Sequence, residues 1–175
     1  AWSMNDKATG ACAGRRSVAI AKAVIGVSTL SIARTSGGRV GIAYNSMSSF
    51  EEGHLKVALF SPTAPGFTPT TVELAGNQFE DIGGSARILA GAAGEFHLAY
   101  QALPDGLLQY RSLSTTGTFS QPQDLTSGLG SRTTLAAAIS SKDDLRVSYF
   151  DPVAGNIASR LRSKDCNFKN FGALT

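Results

Sequence analysis

Cysteine is scarce in this chain of 175 residues: there are two, Cys12 and Cys166, almost at opposite ends, and neither belongs to a C-x-x-C pair. With only two histidines, His54 and His97, far apart in sequence, the spacing of a zinc or Cys/His site is missing, and no metal or other cofactor is implied. The two thiols read either as free buried cysteines or as a disulfide joining the chain ends in an oxidising compartment. Long hydrophobic runs are also missing. The longest, "VAIAKAVIGV" at 18–27, is interrupted by Lys22 and is about half the ~20 residues of a membrane-spanning helix, so no membrane insertion is expected. Charge is sparse as well: charged residues make up 17% of the chain, the net charge is +3, and the basic residues are scattered rather than clustered. Without an RNP-like, zinc-finger or helix-turn-helix signature, nucleic-acid binding is not expected. Nucleophile-elbow, phosphate-loop and EF-hand motifs and N-x-[ST] sequons are absent too.

What the chain does have is a phrase written three times. "GGRVGIAYNS" (37–46), "GEFHLAYQAL" (94–103) and "DDLRVSYFDP" (143–152) each run from a turn through alternating apolar residues to Ala or Ser and then Tyr. Tyr44, Tyr100 and Tyr149 stand 56 and 49 residues apart. Aligning them brings further runs into register: "TLSIARTS", "ARILAGAA" and "TLAAAISS" upstream, and "HLKVALF", "LLQYRSL" and "NIASRLR" downstream. After these come "GFTPTTVEL", "GTFSQPQDL" and "CNFKNFGAL". Most of the length difference lies in loops such as "NSMSSFEEGH", three residues longer than "QALPDGL" or "FDPVAGN".

Each unit therefore holds four short runs of two-residue alternation punctuated by Gly, Pro, Asn, Asp and Ser, the pattern of a four-stranded antiparallel sheet. In the second strand Val40, Ile42 and Tyr44 share one face, as do Phe96, Leu98 and Tyr100, and Leu145, Val147 and Tyr149; that face is expected to pack on a neighbouring sheet. The first strand of each unit is rich in small residues (Ala33, Ala90 to Ala92, Ala136 to Ala138), as innermost strands crowding a common axis require. Four-stranded units recurring every ~40 to 50 residues predict an all-β fold of β-propeller type with three blades, at about 26–76, 77–127 and 128–175. The segment 1–25, with "RRSVAIAKAV", reads as a strand completing a neighbouring blade.

The order G-x-x-[ST]-x-apolar, turn, G-x-x-apolar-x-apolar-[AS]-Y, loop, L-x-[YV], G-x-F and a closing Leu resembles the propeller blades of secreted and surface-exposed bacterial proteins. It is carried by 26–44, 84–100 and 130–149, although the Trp such blades often hold on their last strand is here Phe or missing. The resemblance implies a propeller and a secreted or cell-surface location, not an activity.

No catalytic residues are assigned. Sialidase-like hydrolases share the fold, but their S-x-D-x-G-x-x-W box is missing, and Asp143 and Asp144 in "SSKDDLRV" read as hairpin initiators. Glu51, Glu52 and His54 form the densest polar cluster, but on a loop between strands, where nothing would split the carboxylate pKa values. His97 faces away from Phe96 and Leu98 and has no second ligand at metal spacing. The expected function is therefore non-catalytic recognition of a glycan or protein. The expected contacts lie on the loops of one rim: Asn45, Phe50, Glu52 and His54; Gln101 and Asp105; Asp151 and Asn156. The alternatives are part of a glycan-cleaving propeller enzyme, or a structural platform. An open stack of three sheets leaves an apolar face at each end, so a homodimer, or a second chain supplying further blades, is expected as partner.

Overall fold

The computed structural model describes residues 29–47, 53–61, 69–74, 82–102, 106–126, 128–129, 133–162 and 172–173. They are all-β, with no helix among them, and form three four-stranded antiparallel sheets, each a simple meander. The first sheet is β1 (Leu30–Arg34), β2 (Val40–Met47), β3 (Gly53–Phe60) and β4 (Thr70–Glu73). The second is β5 (Ile82–Ala90), β6 (Phe96–Ala102), β7 (Leu107–Leu113) and β8 (Gln123–Asp124). The third is β9 (Leu135–Ile139), β10 (Leu145–Asp151), β11 (Asn156–Arg162) and β12 (Gly172–Ala173). The segment 1–25 lies outside the described residues.

One turn recurs between the first two strands of every sheet and shows why these sequences fold back where they do. Thr35, Gly91 and Ser140 each donate their amide to the carbonyl four residues on, at 2.9 Å, and their own carbonyls accept from Gly38, Gly94 and Asp143. Those acceptor-bound residues have φ of 86°, 88° and 63°. A turn closed by a left-handed residue favours glycine, and the third copy uses an aspartate instead. Asp143 holds that conformation while its Oδ1 accepts from the amide of Ala92, 2.8 Å away in the corresponding turn of the second sheet.

The three tyrosines align as the alternation predicts. The Phe96, Leu98 and Tyr100 face of the second sheet packs on Ala43, Leu55 and Val57 of the first, with Leu74, Ile88 and Leu113 in the same core. The Leu145, Val147 and Tyr149 face of the third sheet packs on Ala99, Leu108 and Tyr110 of the second. The second sheet is thus covered on both faces, so the side of β6 opposite the tyrosine is interior as well. First strands lie beside first strands: β1 adjoins β5, and β5 adjoins β9. Hydroxyls join them, because Thr29 Oγ1 accepts from the Ala86 amide at 3.1 Å, Ser31 Oγ from Ile88 at 3.1 Å and Ser85 Oγ from Leu135 at 3.4 Å. These bonds satisfy backbone amides on strand edges that no ladder pairs.

The two ends of the stack differ. Contact runs from the first sheet to the second and from the second to the third, and the stack is not closed. At the first sheet, Val40, Ile42, Tyr44, Ala58 and Phe60 are buried within the chain, while Leu30 and Ile32 beside them on β1 are exposed. At the third sheet the outer face is open: Ile157 is 79% exposed, where its counterparts Leu55 and Leu108 are at 0% and 1%. Phe150 is 48% exposed, whereas Asn45 and Gln101 at the same position are buried. The expectation of a bare apolar face at both ends is corrected to one open face and one open strand.

Candidate functional site

The strand ends on the turn side of the first two sheets enclose a cleft of about 390 Å³. Its floor is apolar, made by Leu59 at the end of β3 and Val72 on β4. Leu59 pairs with Thr70, which brings the Thr70 hydroxyl to one wall beside Ser61. The other wall is the β7–β8 turn of the second sheet, at Thr115, Thr116 and Gly117. Gly117 has φ of 87°, and a Cβ there would lie 3.9 Å from Val72 and 4.0 Å from Leu59, so the turn rests on the cleft floor. Ser114 and Thr116 bond hydroxyl to hydroxyl at 2.8 Å, which fixes the wall.

Among the described residues, Arg39 supplies the only charged side chain lining this cleft. It is held in place: Nη1 donates to the Gly94 carbonyl at 3.2 Å, and the guanidinium lies 5.7 Å from the centre of the Phe96 ring. A guanidinium has five donors in a rigid fork, so fixing it by one bond and a ring contact orients the remaining donors. An apolar floor with a few convergent polar groups is the composition of small-molecule sites, whose volumes run from ~300 to 1,000 Å³.

A second polar group sits at the same ends of the strands, between the second and third sheets, and it is sealed. His97 Nδ1 and the Tyr110 hydroxyl lie 2.7 Å apart with their rings stacked, and Glu95 Oε1 is 3.4 Å from His97 Nε2. Arg162 of the third sheet lies 4.9 Å over the Tyr110 ring. Burial, and after it the charge of Arg162, lowers the His97 pKa against the opposing pull of Glu95 and Asp143. Burial likewise pushes Tyr110 up to about 12. Gly91 is required beside this group, since a Cβ there would come within 2.5 to 2.6 Å of the Glu95 carboxyl and His97 Nε2. An imidazole only 2% exposed next to a fully buried phenol has no route to a substrate, so we read the group as the joint between two sheets.

The expected rim residues lie at the opposite strand ends, and the structure divides them. Asn45 and Gln101 are buried. Gln101 Oε1 accepts from the Thr133 amide at 2.9 Å and its Nε2 donates to Gly106 at 3.4 Å, tying its own β6–β7 loop to the start of the third sheet. His54 contacts Glu73 at 2.8 Å, and Lys56 reaches the other oxygen of that carboxylate at 3.4 Å, forming a partly exposed ladder on β3 and β4. Asp151 closes its hairpin through the amides of Val153 and Ala154, with exposed Asn156 opposite it in register. Phe50, Glu52 and Asp105, and both cysteines, Cys12 and Cys166, lie outside the described residues. Among the described residues no group of three or more His, Cys, Asp or Glu could hold a metal. The sequence reading missed Arg39 and the Thr115–Thr116 turn; the turns with a left-handed glycine at Gly38 and Gly117 were a signal for each turn, though not for their meeting. No protein-family model matches the chain, and no curated protein matches its sequence.

Proposed function

We propose that the chain is a non-catalytic recognition module, its three sheets serving as blades of a propeller, which binds glycan in a secreted or surface-exposed setting. The observation that supports this reading is the cleft between the first two sheets, where hydroxyls and one anchored guanidinium surround an apolar floor. Hydroxyls exchange hydrogen bonds with sugar hydroxyls, and the apolar floor suits the C–H face of a pyranose. The rim residues His54, Asp151 and Asn156 are the competing location. A glycan array probed with the folded chain tests this. Hits are expected that Thr70→Val weakens and that a combined His54→Ala, Asn156→Ala variant leaves unchanged. Hits with the reverse dependence move the site to the rim, and an empty array removes the glycan reading. Product analysis of the same glycans separates binding from cleavage.

A second reading, assembly, is favoured by the open face of the third sheet. Ile157 and Phe150 stand where the other two sheets receive a neighbour, which is the surface a second copy or a chain with further blades would cover. Light scattering over a concentration series tests it: self-association abolished by Ile157→Lys supports a homodimer. A monomer at every concentration removes the second copy.

A further inference from the structure

We infer that the cleft between the first and second sheets selects a sugar acid, a glycan unit bearing a single carboxylate, over neutral sugars. This rests on the glycan reading above and goes further by assigning the charge of the ligand. Among the described residues lining the cleft, Arg39 is the only charged one, so none of them supplies a carboxylate to neutralise it. Its guanidinium does not swing freely, because the Gly94 carbonyl and the Phe96 ring hold it. A planar, permanently charged group fixed in this way matches the two oxygens of a carboxylate through paired N–H donors.

The rest of the cleft limits the choice of anion. Thr70 and Thr115 offer neutral hydroxyls, and none of the described lining residues is a second cation, so together they balance one negative charge rather than the two of a phosphate monoester. Leu59 and Val72 give a floor for an apolar ring face. A carboxylate on a ring that also carries hydroxyls and one C–H face describes a sugar acid, of which the hexuronic acids are the simplest. An acidic peptide shares the carboxylate but not the polyol, and would leave the hydroxyl walls unused.

The test is calorimetric titration of the folded chain with trigalacturonate, its methyl ester, neutral galactotriose and an acetylated triaspartate amide. Trigalacturonate is expected to bind about tenfold or more tighter than its ester, which keeps the shape and removes the charge. Arg39→Gln should bring acid and ester to within about twofold of each other, and Arg39→Lys should keep part of the preference as a point charge. Thr70→Val should weaken acid and ester alike. Where Arg39→Gln fails to fold, the parent decides: rising salt must weaken the acid and leave the ester unchanged. Equal binding of acid and ester, a preference that survives in folded Arg39→Gln, tighter binding of the peptide, or no binding of any probe each overturns the inference. Array hits to neutral glycans that Thr70→Val weakens would leave the glycan reading standing while this one falls.

Discussion

The amide of Thr133 donates to Oε1 of Gln101 across 2.9 Å, so the chain leading into the third sheet is held by a side chain of the second. Both groups are buried, and neither has water to fall back on. Gln101→Ala leaves the Thr133 amide without this acceptor and is expected to destabilise the fold by about 1 to 3 kcal/mol. Chemical denaturation measures it, and a change under about 0.5 kcal/mol, the range of ordinary surface substitutions, would show that the joint is held elsewhere. By sequence alone Gln101 read as a ligand contact on the rim.

Asp143 combines a left-handed backbone with a bond to Ala92. Replacing it separates the two contributions. Asp143→Gly suits the φ of 63° but loses the carboxylate, whereas Asp143→Ala loses the carboxylate and keeps the strain. The expected order of stability is Asp, then Gly, then Ala, with Ala about 1 kcal/mol below Gly. Equal midpoints for the two variants would show that this turn relaxes out of the left-handed region.

Acid should weaken the joint between the second and third sheets. The folded His97 pKa lies below its ordinary 6.5, because burial and Arg162 disfavour the imidazolium. As the pH falls through ~6.5 the unfolded chain takes up a proton that the folded one refuses, so stability is lost on the acid side and is flat above. His97→Gln keeps a hydrogen-bonding partner for Tyr110 and removes the titration. Denaturation midpoints from about pH 8 to 5 should fall more steeply for the parent than for this variant, and parallel curves would rule the account out. On the alkaline side Tyr110, pushed up to about 12, contributes stability that is present below ~10 and is lost as the pH rises towards 12.

Leu108 and Ile157 occupy one position of the repeat and differ in environment. In dilute solution Leu108→Ser is expected to destabilise by about 3 kcal/mol or more, and Ile157→Ser by less than about 0.5. Comparable losses at both positions would mean that something covers the third sheet in solution.

The strands were legible because two-residue alternation marks one face at a time, and Val40, Ile42 and Tyr44 with their counterparts were assigned to the buried face from that signal. Gln101 was misplaced for the same reason. A polar residue opposite an apolar face reads as solvent-facing, and only the stacking of a third sheet on the second makes both faces interior. The cleft was illegible in principle: Arg39 and Thr115 come from turns of different sheets, and no local pattern says that those turns face one another. The carboxamides Asn45 and Gln101, both closing the second strand, were a readable hint of a repeated joint that was taken for a ligand-facing rim.

Each sheet pairs only strands that follow one another in the chain. Backbone pairing within a sheet therefore never waits for a distant part of the polypeptide, and loop-closure entropy stays small at every step. Since a sheet meets its neighbours through one hydroxyl-lined strand and one tyrosine face, a unit can be gained or lost by duplication or deletion without disturbing the hydrogen bonding inside the others. Such a chain can change length over evolution as an array does, one whole module at a time.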